Sequence, residues 1–243
     1  MENNQAENLY SYNPSATTEH IEDGFKNFLN KVFALMVIGL FLTFATTFIV
    51  VNFTPIAFRL FLLNNMMVFI IAELAVVLFL SFRITKLSIQ SATIAFFIYA
   101  ILSGLVITTF VYTTSTTTFI TALLSTVFYF SILAFYGYTT KKDLSKIGNL
   151  ARISLFAIII LSVVNLFLGN TGLDLILTIF SLVVFSGLTM YDVKILKSLY
   201  NSLTADENHQ EKDIRRLAII GALNLYLDFI NLFINILKLF SRN

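Results

Sequence analysis

Asp228 sits midway along the last membrane-length apolar run of the chain. A carboxylate at that depth is costly unless it has a partner or faces water, so it is a candidate for function. At about 100° per residue, Gly221, Asn224, Asp228, Asn231, Asn235 and Lys238 share one arc of roughly 100°. A polar stripe on a membrane helix faces protein or water, not lipid. Three more acids lie in or beside apolar runs: Glu73, Asp174 and Asp192. Asp174 opens the sixth run, where a helix dipole favours a first-turn acid. Glu73 lies near the middle of the second run, where it either lines a cavity or is protonated and hydrogen-bonded.

Asp192 ends the sixth run, and Asp228 lies about 16 Å along the seventh. Helices that follow one another usually pack as antiparallel neighbours, which would bring these two acids toward each other. Two carboxylates in one low-dielectric site cannot both ionise cheaply, so such a pair would share a proton. Arg83 ends the second run at a similar level, either as a counter-charge to the pair or as an arginine reaching for the membrane surface. Asp192 and Asp228, with the amide oxygens of Asn224 and Asn231, are hard ligands that suit weak, passing coordination of calcium. The competing reading is a hydrogen-bonded stripe, Asn235 included, that only joins the last helix to its neighbours.

These residues need a scaffold, and the composition dictates its class. Of 243 residues, 57% are hydrophobic and 12% charged, and the mean hydropathy is +0.83. That charge fraction is about half that of a soluble domain. Apolar runs near 32–51, 66–82, 87–112, 119–138, 153–168, 173–191 and 217–240 predict an all-α polytopic membrane protein with seven transmembrane helices. Residues 1–24 read as a polar, disordered tail and 25–243 as the transmembrane domain. Ile21, Phe25, Phe28 and Leu29 suggest a short interfacial helix. The stretch 192–216 reads as a loop.

Basic residues set the orientation. With the N-terminus inside, thirteen of the 16 lysines and arginines fall on the inner side, and Arg59, Lys238 and Arg242 fall outside. The positive-inside rule therefore puts the N-terminus in the cytoplasm and the C-terminus outside. The chain has no cysteine, which excludes disulfides, thiolate metal sites and cysteine nucleophiles. His20 and His209 lie outside the spans and make no zinc or haem site, so no cofactor is expected. Basic residues flank apolar runs and form no separate patch, which excludes nucleic acid as a partner and leaves the lipid bilayer.

Several segments together resemble the Bax inhibitor-1 family, also called the transmembrane Bax inhibitor motif family. They are Ser81-Phe82-Arg83-Ile84 with Glu73, Tyr136-Gly137-Tyr138 through Ser145, Tyr191-Asp192, and Ala222 through Phe233 containing Asn224, Asp228 and Asn231. The likeness runs from about residue 25 to the end. It implies six helices surrounding a central seventh, and a pH-sensitive calcium leak channel with calcium as the transported ion. In that family, paired aspartates and an arginine form a latch, and by matching motifs those roles fall on Asp192, Asp228 and Arg83. The resemblance also implies a bacterial plasma membrane, with the endoplasmic reticulum membrane as the alternative. Some bacterial relatives associate with a membrane-bound AAA protease, so a non-conducting modulator of such a partner is the competing function. Catalysis is not expected. Presenilin-type proteases also pair two aspartates, yet Leu225-Tyr226-Leu227 stands where they need Gly-x-Gly, and Pro14 and Pro55 are the only prolines.

Overall fold

The computed structural model describes the backbone of residues 14–83, 87–205 and 210–242, and the side chains of 23–80, 83, 87–205 and 210–242. Most of the expected N-terminal tail, the side chain of His20, and His209 lie outside these described residues. Every described element is a helix: α1 (Pro14–Phe53), α2 (Ile56–Asn64), α3 (Met66–Arg83), α4 (Ile89–Thr113), α5 (Thr116–Thr139), α6 (Ser145–Leu168), α7 (Thr171–Thr204) and α8 (Glu211–Phe240). Six are long and apolar enough to cross a bilayer, and the bent pair α2–α3 brings the number to seven if it counts as one span. The chain is an all-α polytopic membrane protein.

Local chemistry explains the breaks. The residue before a proline avoids helical geometry, and α1 stops at Phe53, just before Thr54-Pro55. Pro55 then starts α2, with Arg59 Nε donating to the Thr54 carbonyl at 3.0 Å. At Asn65 the chain turns by 69° into α3, while the Asn65 backbone and side-chain amides both donate to the Phe61 carbonyl. Gly169, at φ +62°, ends α6 in the left-handed conformation that glycine adopts without penalty. Ser88, Ser115 and Asn170 cap α4, α5 and α7 through their side-chain oxygens.

Asp143 holds the turn into α6 by accepting from the Ser145 amide at 2.9 Å. Hydrogen bonding from Ser145, side chain then backbone, keeps its carboxyl below the usual carboxylate range. A depressed acid stabilises the fold above its unfolded value, about pH 4, and loses that effect as the pH falls through its folded value. Asp143→Ala is therefore expected to lower the thermal midpoint slightly at neutral pH and to lower it by less at a pH well below about 4. Equal effects at both pH values would show that the ionised carboxylate is not what matters.

Three sequence expectations need correction. The interfacial helix near residues 21–29 is the first part of a continuous α1; Phe25 and Phe28 are buried and ring-packed against Tyr200, with Phe25 also stacked on Tyr138 at 6.0 Å. The fifth helix does not begin near 153 with its apolar run: α6 starts at Ser145. The presumed 192–216 loop is mostly helix: α7 continues to Thr204 and α8 starts at Glu211. In each case the helix outlasts its apolar run and continues as an amphipathic one. Val193, Leu196 and Tyr200 stay buried at helical spacing, while Lys194 and Lys197 are half-buried, Lys194 donating to the Thr140 carbonyl.

Helices α7 and α8 share the most extensive interface, and α8 also packs on α1, α4 and α5. Helices α1 and α4 run parallel along a seam of small residues. Thr43 donates to the Ala100 carbonyl at 2.9 Å and, four residues on, Thr47 donates to the Gly104 carbonyl at 2.9 Å. Close backbone approach and hydroxyl-to-carbonyl bonds are how membrane helices associate when lipid removes the hydrophobic drive.

Candidate functional site

The site grows from the two most closely packed helices. Asp192 lies on α7 and Asp228 on α8, and only 8% and 3% of their surfaces are exposed. The two carboxylates interact electrostatically. Around them stand Asn224, whose amide faces Asp192, and Thr189, one turn before Asp192, whose hydroxyl faces Asp228. Oδ2 of Asp228 is buried without a hydrogen-bond partner among the described residues. A buried polar oxygen of this kind needs an explanation, and either a proton or a cation would satisfy it. Among the described residues, no cluster of three or more histidine, aspartate or glutamate side chains is placed to hold a metal ion. Two carboxylates with one amide suit passage of a cation better than its retention.

The cation that acts on Asp192 is Arg152 of α6. Its guanidinium lies 4.8 Å from the centre of the Tyr191 ring. Tyr191 itself is packed against Gly148, where an added Cβ would come within 2.4 Å of the ring. Arg83, at the end of α3, is exposed and forms no hydrogen bond or ion pair with either acid among the described residues.

The rest of the stripe divides. Asn231 donates to the Leu227 carbonyl at 2.8 Å and Asn235 to the Asn231 carbonyl at 2.7 Å, so both amides bond back to their own helix. Glu73 belongs to a different cluster. Ser103 donates to its Oε1, the Tyr99 hydroxyl faces it, and on the α1 side Tyr226 and Thr43 hydroxyls meet at 2.7 Å. Tyr226 is two residues before Asp228, so α8 carries separate polar clusters on different faces.

At the opposite end, Asp174 is a first-turn acid and also more than that. It takes an ion pair from Lys238 at 3.3 Å and another from Arg242. Arg242 further donates to the Thr171 carbonyl at 3.4 Å, and Thr114 and Ser241 hydroxyls lie 3.2 Å apart. The end of α8 is thus tied to the start of α7. Periodicity placed Lys238 on the stripe but carried no signal for this pairing, because Asp174 is 64 residues away.

Comparison with known proteins agrees with these helices and motifs. The family described as inhibitor of apoptosis-promoting Bax1 matches residues 25–243. The chain is 34% identical over 220 residues to the inner membrane protein YbhL of Escherichia coli strain K12, covering 90% of this chain and 93% of the relative. It is 34% identical over 232 residues to an uncharacterized protein of Borreliella burgdorferi, covering 93% of this chain and 97% of the relative. An uncharacterized protein of Rickettsia prowazekii is 30% identical over 236 residues, covering 95% and 97%. The chain therefore belongs to the Bax inhibitor-1 family, whose members are not enzymes.

Proposed function

We propose that this chain is a calcium leak channel of a bacterial inner membrane, gated by protonation of the Asp192–Asp228 pair. The observation that carries the reading is the unpartnered, buried Oδ2 of Asp228 beside a second acid. Deprotonated, the pair offers charge to a divalent cation; protonated, it becomes a neutral hydrogen-bonded contact between α7 and α8. In this reading α2–α3 forms one bent span, giving seven spans, six of them around α8, with the N-terminus cytoplasmic and the C-terminus outside. The distribution of lysine and arginine supports that orientation, and the likeness to an inner membrane protein of Escherichia coli supports the inner membrane. Arg83 would serve as a latch only in a conformation that brings α3 to the pair, and Arg152 is the cation at hand here.

The test is calcium efflux from liposomes holding the purified chain, followed between about pH 6 and pH 8, where a proton-sharing carboxylate pair can titrate. The wild type should pass calcium with a clear pH dependence. Asp192→Asn and Asp228→Asn should each flatten that dependence, while Asn235→Ala should retain it. If both aspartate variants match the wild type in flux and pH profile, gating by the pair is wrong. If the wild type itself passes no calcium, the chain is better read as a modulator of a partner such as a membrane protease.

A further inference from the structure

Helices α1 and α5 do not close against each other. Between them runs a groove of about 560 Å³, walled by residues from Lys26 to Leu40 of α1 and from Val127 to Tyr138 of α5. Its floor includes Val193 of α7 and Phe229 of α8, the chain neighbours of the two acids. Except at one end, the wall is almost wholly apolar: Leu29, Phe33, Met36 and Leu40 face Phe130 and Ala134. Along α1 the groove spans about 21 Å and along α5 about 16 Å. One leaflet of the hydrocarbon core is about 15 Å thick, half of the ~30 Å total.

The two ends differ in charge. Lys26 and Asn30 stand at the end that carries the N-terminus. Lys197 of α7 reaches the same end of the groove: its Nζ is 5.3 Å from the ring centre of Tyr138, a wall residue, and 5.7 Å from that of Phe25, which precedes Lys26. Asp23, an acid on this side among the described residues, lies 3.1 Å from Lys26, and both of those side chains are more than half exposed. Exposed pairs of this kind are weak and exchange partners readily. The far end, near Leu40 and Val127, contributes no charged residue.

We infer that this groove seats one acyl chain of an anionic phospholipid, with the headgroup phosphate at Lys26 and Lys197. Water gains nothing in an apolar slot at this depth, whereas an acyl chain matches it in length and polarity. Two ammonium groups at the membrane surface then favour a charged headgroup over a zwitterionic one. The occupant would lie against Val193 and Phe229, next to the acid pair. The site does not depend on the channel reading.

The absence of tryptophan makes the test direct. Ser131→Trp and Val37→Trp each put a single fluorophore on the groove from opposite walls, and Phe167→Trp puts one on α6, where Phe167 is 84% exposed. Each protein is reconstituted with brominated phosphatidylglycerol or brominated phosphatidylcholine at equal mole fraction. Both groove reporters should be quenched severalfold more strongly by the anionic lipid, and the Phe167→Trp reporter equally by the two. Adding Lys26→Ala with Lys197→Ala should remove the preference and leave quenching by both lipids. Equal quenching of the groove reporters by the two lipids would overturn the headgroup assignment. No quenching by either would overturn the site, as it would if a second copy of the chain filled the groove. The two wall positions guard against one variant failing to fold.

Discussion

Replacing Gly137 by valine is expected to abolish recoverable folded protein, and replacing it by alanine to lower the thermal midpoint by several degrees. A Cβ at this position would lie 2.4 Å from the Met190 carbonyl oxygen and 3.1 Å from its carbonyl carbon and Cα. All three atoms are backbone, so no side-chain rotation relieves the clash. Helices α5 and α7 must move apart, and the Tyr129–Ser186 hydroxyl contact at 2.8 Å lies on the same interface. Overpacking a close-packed interior costs about 1–3 kcal/mol even when neighbours adjust. For a chain of this size each kcal/mol lowers the midpoint by about 2–4 °C. Gly172 is the control, because a Cβ there would meet only the Asn170 side-chain oxygen at 3.3 Å. Thermal unfolding followed by size-exclusion recovery in detergent separates the cases. A Gly137→Ala midpoint equal to that of Gly172→Ala would show that the α5–α7 approach is not tight. Because Met190 directly precedes Tyr191 and Asp192, the same displacement should also disturb the acid pair.

The acids were legible in the sequence because of where they stand. A carboxylate within an apolar run is conspicuous, and helical periodicity alone put Asn224 and Asp228 on one face of α8. Arg152 was not legible. It lies in the first turns of α6, in a stretch whose hydropathy is too low to count as span, so it read as one of several inner-side cations. The extension of α7 escaped for the same reason: Lys194 and Lys197 lower the local hydropathy, while Val193, Leu196 and Tyr200 keep the helix packed. The partners of Glu73 were hidden by abundance. Threonine and serine hydroxyls throughout these helices bond to carbonyls one turn back, as Thr46, Thr108 and Thr126 do. Nothing in the sequence set Ser103 apart from them. Helix α2 was missed because nine residues containing Arg59 are too short to register as a span.

Substituting Arg152 should move the pH midpoint of calcium flux, whereas substituting Arg83 should leave it in place. Arg152 is the positive charge acting on Asp192, and stacking on Tyr191 fixes its guanidinium one residue from that acid. A nearby cation favours the charged form of a carboxylate, so its removal lets the protonated pair persist to higher pH. Arg152 is an exposed residue, so salt screening keeps the displacement small. The direction holds whether protonation opens or closes the path, since it concerns only where the pair titrates. Arg152→Lys keeps the charge but loses the planar stacking, so its midpoint should fall between those of the wild type and Arg152→Ala. Arg83 forms no bond to either acid among the described residues, and Arg83→Ala should reproduce the wild-type midpoint within experimental scatter. Flux–pH profiles of the three variants in liposomes of one lipid composition decide the matter. If Arg83→Ala moves the midpoint and Arg152→Ala does not, the latch works in a conformation with α3 drawn to the pair, and Arg152 serves only to pack Tyr191.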